Sequence, residues 1–162
     1  MPRRLKAVPL SARAFARYGD VIIPSGKPDK MINQGLCGRY HDLARLDFTE
    51  GRAGISFFDA QERHLPLVVD MMERHPQGSQ AFIPVSRSRY LIVVADDDDG
   101  VPTNPCAFLA DYEQSVNLHR NVWHGVLTPV GAPGRFVVVD RIGDGANLEE
   151  YWFDAPYTID AL

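Results

Sequence analysis

Turn signals constrain this chain more than any other feature. Beyond Gly19, glycine, proline and Asp-Gly steps recur at intervals of about ten residues, and the segments between them are rich in valine, isoleucine, phenylalanine and tyrosine. Segments this short accommodate strands and not helices of ordinary length, so the spacing predicts an all-β barrel or sandwich. The expected strands are 55–58, 67–75, 79–85, 90–95, 106–110, 116–120, 123–129, 136–141 and 150–153. No βαβ alternation is present, which disfavours a parallel doubly wound sheet. One short N-terminal helix has local support: Ser11 can cap residues 12–18, Leu10 can staple onto Phe15, and Gly19 stops the turn.

Composition bounds the class. A length of 162 residues predicts one domain over 1–162, and 45% hydrophobic with 23% charged residues is ordinary globular composition. Seventeen Lys plus Arg against 21 Asp plus Glu give a net charge of -4, so no global positive field attracts nucleic acid or an anionic membrane. Cys37 and Cys106 lie far apart with no CxxC, which predicts buried free thiols in a reducing compartment. The basic start of the chain runs into prolines and serine without a signal-peptide apolar region, and no apolar run approaches the ~20 residues needed to span a bilayer. The expectation is a soluble, cytoplasmic protein. P-loop, GxGxxG, GxSxG and HExxH motifs are all missing, and the run from Asp96 to Asp99, which lacks the ligand alternation of an EF-hand, is expected to be a solvated turn.

The segment 67–75 can be written as a helix stripe through Leu67, Val68, Met71, Met72 and His75, or as a strand. Pro66 and the turn at Pro76-Gln-Gly bound it at strand length, which favours the strand. With period two, Leu67, Val69, Met71, Glu73 and His75 share a face, so an interior face that begins apolar ends in two ionisable groups. Gln80 follows across the turn, and three metal-compatible or hydrogen-bonding tips can then converge at one barrel mouth. Asn117 and His119 repeat the i, i+2 spacing on a second expected strand, and Trp123-His124 follows after a bend, so a fourth ligand is at hand. The bland alternative is that Glu-Arg-His before a turn places solvated charges, and that a histidine beside tryptophan is a packed imidazole with one satisfied hydrogen bond.

The string Glu73-Arg-His-Pro-Gln-Gly-Ser-Gln-Ala-Phe-Ile-Pro resembles the signature block of the ureidoglycolate lyase family, whose fold is a cupin-type β-barrel. Further resemblances are Ile32-Asn-Gln-Gly with Arg39-Tyr-His-Asp-Leu-Ala, His119-Arg-Asn-Val-Trp-His, and Val139-Asp-Arg followed by Asn147-Leu-Glu. They run in the family's order from about Asn33 to Phe153. The resemblance implies an all-β, cupin-like antiparallel barrel. Its metal motifs, carried over position by position, fall on Glu73, His75, Gln80 and His119, with Glu for one histidine and Gln for the usual Glu. Such a set carries one formal negative charge and suits nickel or manganese, with no organic cofactor; a metal-free site binding its anion by hydrogen bonds is the alternative. Where family members have His-His after the tryptophan, this chain has His124-Gly125.

The activity implied is cleavage of (S)-ureidoglycolate to glyoxylate and urea in allantoin degradation, a step of purine nitrogen catabolism, by a carbon–nitrogen lyase of the amidine type. The elimination needs a base at the hydroxyl and an acid at the leaving nitrogen. Glu73 is the candidate base if it is not a ligand, and His124 or His119 the proton donor. Arg39, Arg120 and Arg141 are candidates for the substrate carboxylate, although 14 of the 17 basic residues are arginine, which weakens any single choice. Ser79, Gln80, Asn33 and Gln34 could read the ureido group, Asn33 and Gln34 being equally ordinary turn residues. Trp123 could wall off solvent or pack the core, and Cys37 is taken as packing. The rivals are an amidohydrolase releasing ammonia from the same substrate and a non-catalytic cupin that binds a small carboxylate; a DNA-binding regulator is disfavoured. A homodimer with a small-molecule substrate, and no nucleic-acid or membrane partner, completes the expectation.

Overall fold

A computed structural model describes residues 3–162. Its elements are β1 (Arg3–Leu5), β2 (Ala7–Pro9), α1 (Ala12–Phe15), β3 (Gly19–Ile22), β4 (Lys30–Ile32), β5 (Cys37–Arg39), β6 (Arg52–Ala60), β7 (Leu67–Arg74) and β8 (Gln80–Pro84). There follow β9 (Arg89–Asp98), β10 (Val101–Ala110), β11 (Ser115–Leu118), β12 (Trp123–His124), β13 (Thr128–Val130), β14 (Gly134–Ile142) and β15 (Glu149–Ile159). An eight-stranded sheet runs β1-β15-β7-β12-β9-β10-β2 with β13 also on β9, and a five-stranded sheet runs β3-β11-β8-β14-β6. The consecutive strands β1 and β2 pair with β15 and β10, at opposite edges of the larger sheet, and so draw it towards closure. The architecture is the expected all-β, cupin-like barrel.

The helix is real but short. Ser11 Oγ accepts from the Ala14 amide at 3.3 Å and Phe15 is wholly buried, yet α1 ends after one turn, at Phe15. Each expected strand is present; the segment 123–129 divides into β12 and β13, and β1 to β5 were not foreseen because they are three or four residues long. Segment 67–75 is a strand, as its length implied, but not with one continuous face. Leu67 and Val69 pack in the same apolar cluster as Met72, so the alternation inverts between Val69 and Met72. The inversion coincides with the irregular register between Trp152 and Tyr157 on the neighbouring β15.

Two apolar clusters result from strands buried on both faces. On β9, Tyr90, Ile92 and Val94 join Phe82, Phe108, Val116, Leu118, Phe136 and Val138 between the two sheets, whereas Leu91, Val93 and Ala95 face the opposite side with Leu67, Met72, Trp123 and Ile159. A continuous Val/Ile/Leu run is the pattern such a strand needs. Phe136 sits edge-on to Tyr90 with ring centroids 5.1 Å apart, and burying a side chain of that size contributes roughly 1.5–3 kcal/mol.

The aspartate run is not a solvated turn throughout. Only Asp99 lies in the Asp-Gly turn, where both Asp99 and Gly100 have positive φ, the geometry of a two-residue hairpin. Asp96 accepts from the Tyr18 hydroxyl at 3.1 Å and pairs with Arg17 at 2.8 Å. Asp97 accepts from Trp123 Nε1 at 2.8 Å and from Arg74, whose guanidinium lies 4.4 Å from the Trp123 ring centre. The thiols also differ from expectation: Cys37 is exposed on β5 and Cys106 is half-buried beside the Tyr18 hydroxyl. Among the described residues, no helix is long and apolar enough to cross a membrane.

Candidate active site

Register places the central pair. Glu73 on β7 stands directly opposite His124 on β12, and His124 stands opposite Val94 on β9, so all three side chains share one face. That face is the inter-sheet side, because Val94 is fully buried there. His75 follows one residue after β7 and brings its ring to 5.2 Å from that of His124, centre to centre. One carboxylate oxygen of Glu73 and one ring nitrogen from each histidine lie within 4.8 Å of one another.

The hydrogen bonds decide the tautomers. His75 Nδ1 lies 2.8 Å from the Asn147 carbonyl and His124 Nδ1 lies 3.0 Å from the Gly125 carbonyl. A carbonyl only accepts, so each Nδ1 carries a proton, and a ring in its neutral form presents the Nε2 lone pair. Both Nε2 atoms are buried with no hydrogen-bond partner among the described residues. Burial, reinforced by the neighbouring His75, pushes the His124 imidazole down to about 4, so it stays neutral at physiological pH. Burial raises the Glu73 carboxyl above its ordinary range; His75 opposes this and Glu150, directly across on β15, adds to it.

Two orphaned imidazole nitrogens and a carboxylate, with both rings oriented by backbone carbonyls, are the donor set and outer support that a borderline divalent cation requires. These residues fit such an ion, and three protein donors leave further positions for substrate or water.

The structure regroups the four residues assigned to metal by sequence. Glu73 and His75 meet His124, not His119. On β11, Val116 and Leu118 occupy the inter-sheet cluster, so Asn117 and His119 point to the other side. There, fully buried Asn117 donates to Asp20 at 3.0 Å, and His119 Nε2 lies 3.3 Å from the same carboxylate. Burial opposes ionisation of Asp20, but the bonds from Asn117, the Arg45 amide and His119 outweigh it and hold its carboxyl below the usual range. Asn117 and His119 do share a face, and it is not the face that Glu73 and His124 occupy. Gln80 lies on the inner face of β8 with Phe82, bonded to Asp140 Oδ2 at 3.2 Å.

His119 and Arg120 instead line a cavity of about 390 Å³ together with Arg45, Asp47, Pro76 and Asn121. It adjoins the backbone of the metal-fitting group, since the Asn121 amide donates to the His75 carbonyl at 3.0 Å. Arg120 pairs there with Asp47 at 3.1 Å. Ser79 is a clasp: its amide donates to the Asp47 carbonyl and its Oγ accepts from the Asp47 amide, both at 2.9 Å. Arg141 is also a structural tie, donating to the carbonyls of Glu50 and Asp144. Arg39 and Asn33 lie on the exposed β4–β5 hairpin, where Asn33 and Gln34 take positive φ and so fill the turn role. Trp123 is 2% exposed and packs in the core. Asp140 escaped the sequence reading, although its signal was present: it continues the inward positions Phe136 and Val138 at period two, a carboxylate at the end of an apolar face.

A cupin-like barrel that gathers two buried imidazole nitrogens and a carboxylate on its inter-sheet side has a group of residues that could hold a metal ion. The family model for ureidoglycolate lyase matches residues 2–160. A ureidoglycolate lyase of Rhodobacter capsulatus is 60% identical over 158 residues, covering 97% of this chain and 98% of that protein. One from Mesorhizobium japonicum is 48% identical, covering 96% and 97%, and ureidoglycolate lyase 2 of Rhizobium meliloti is 47% identical, covering 94% of each. The chain belongs to the ureidoglycolate lyase family.

Proposed function

We propose that this chain is itself a ureidoglycolate lyase, converting (S)-ureidoglycolate to glyoxylate and urea in allantoin degradation. The observation that carries the reading is the Glu73–His75–His124 group, set in a chain 60% identical over nearly its whole length to a protein of that name. In the reaction the substrate's O–H and C–N bonds break while a carbonyl and a new N–H bond form, so one proton must pass from the hydroxyl oxygen to the leaving nitrogen. Glu73 is the candidate to carry it, through the carboxylate oxygen that is not turned to the cation-fitting group. His124, held neutral with its lone pair inward, serves as a donor to a cation and not as the acid at urea. His75 and His124 through Nε2, and Glu73 through one oxygen, would hold nickel or manganese. Such an ion, when bound, lowers the pKa of a hydroxyl and neutralises the substrate's negative charge. Arg45 and Arg120, which line the adjoining cavity, are the candidates to attract the substrate carboxylate.

The decisive experiment follows urea with urease and glyoxylate with a reductase, using metal-stripped and metal-reloaded protein. Equal amounts of urea and glyoxylate, restored by nickel or manganese, are expected; ammonia appearing without urease would favour the amidohydrolase, and binding without turnover the non-catalytic cupin.

The working form is proposed to be a cytoplasmic homodimer. Its support is β6, an edge strand on which Ile55 and Phe57 are 76% and 68% exposed beside Val139 and Val137 of β14, an apolar face that a second copy would cover. Sedimentation equilibrium at micromolar concentration is expected to give twice the 18.1 kDa chain mass, and a monomer would overturn this assembly.

A further inference from the structure

Gln80 is only 7% exposed, and its two amide ends have different fates. Nε2 donates to Asp140 Oδ2 at 3.2 Å, whereas Oε1 is buried without a hydrogen-bond partner among the described residues. A carboxylate oxygen accepts, so Asp140 decides which way round the amide sits: nitrogen towards Asp140, oxygen away from it. A buried carbonyl oxygen left unpaired is costly, so its persistence calls for an explanation, and a bound ligand that satisfies it is one. The position of this oxygen indicates what that ligand is. Gln80 is the cross-strand partner of Leu118, and Leu118 lines a small inter-sheet void with His124, so Gln80 stands on the same inter-sheet side as the Glu73–His75–His124 group.

We infer that Gln80 Oε1 accepts a hydrogen bond from the terminal NH2 of the substrate's ureido group, and that Asp140 is the positioning residue that holds the amide in that orientation. The chemistry selects this end of the substrate. An acceptor backed by a carboxylate repels the substrate's own carboxylate, and the hydroxyl proton is committed to the base, so the ureido N–H donors are the groups left to match it. The site therefore discriminates by leaving Gln80 Oε1 unpaired whenever the NH2 is missing. This inference rests on the lyase reading and extends it to specificity.

The test compares ureidoglycolate with 2-acetamido-2-hydroxyacetate, in which a methyl replaces the terminal NH2 and the same C–N bond releases glyoxylate and acetamide. Metal-loaded wild type is expected to prefer ureidoglycolate by about tenfold or more in kcat/KM. Gln80→Met is expected to bring the two substrates to within about threefold, chiefly through a higher KM for ureidoglycolate, because the thioether neither demands nor rewards an N–H donor. Asp140→Asn is expected to fall between, since a carboxamide can donate as well as accept and lets the Gln80 amide turn over. The ratio is taken within one preparation, so partial unfolding of a variant does not alter it. A wild type without preference, or a preference unchanged in Gln80→Met, overturns the inference while the lyase reading stands. A wild type that releases glyoxylate from neither compound overturns both.

Discussion

Replacing Glu73 by glutamine is expected to lower the kcat for urea release by about 100-fold or more, the scale of a lost general acid–base group. The substitution keeps the size and the pairing opposite His124, but it removes the group proposed to accept the hydroxyl proton and one negative donor from the cation-fitting set. Steady-state kinetics across a series of nickel and manganese concentrations separates the two losses. If added metal restores kcat, Glu73 acts only as a ligand; if the metal content is full and kcat stays low, it moves the proton. The matching variant is His119→Asn. Its side chain faces Asp20 on the far side of β11, so kcat is expected to fall by less than about tenfold, whereas a His119 among the ligands would show the full loss. Near-wild-type turnover in Glu73→Gln would remove this residue from the mechanism.

Acid is expected to destabilise the metal-free protein well before its surface carboxylates protonate. His124 is neutral in the folded chain, with its pKa pushed by burial and by His75 from the ordinary 6.5 down to about 4. Between those values the unfolded chain takes up a proton that the folded chain refuses, so stability rises with pH across that window. The contribution is fully present above pH 6.5 and is lost as pH falls towards 4; at about 1.4 kcal/mol per pKa unit, this amounts to about 3 kcal/mol. Urea denaturation of the stripped protein at a series of pH values measures it. His124→Asn, which cannot titrate there, is expected to flatten the slope by that amount, and an equal slope in both proteins would show that His124 is not buried neutral. Adding the divalent ion should steepen the dependence, because it binds the deprotonated Nε2 of the folded state alone.

Sequence and tertiary structure contributed different parts of this picture. The strands were legible because each one carries its own signals. Tyr90 to Ala95 is an apolar run bounded by turn residues, Asp99-Gly100 is a hairpin turn wherever it occurs, and Pro66 and Pro76 bracket β7 at strand length. Family resemblance, carried by residues 73–84, supplied the barrel and the activity class in advance. Glu73, His75 and His124 were all named as candidates from sequence, but their grouping was not.

That grouping depends on which face each strand turns inward, and period two leaves two answers for any strand taken alone. On β11 the alternation of Val116 and Leu118 against Asn117 and His119 is clear, yet only packing against Phe82 and Phe136 selects the apolar pair for the core and sends His119 outward to Asp20. On β7 the face changes partway along, through an irregular register with β15 that lies some eighty residues away in sequence. Likewise, the sequence marked Gln80 as polar and well placed, but the unpaired state of its oxygen exists only because Asp140 arrives on another strand to take its nitrogen. Local residue pattern determines that these segments are strands, since backbone preference and turn chemistry act over a few residues. Which side chains meet is decided by long-range register, where a one-residue shift exchanges the two faces of a strand.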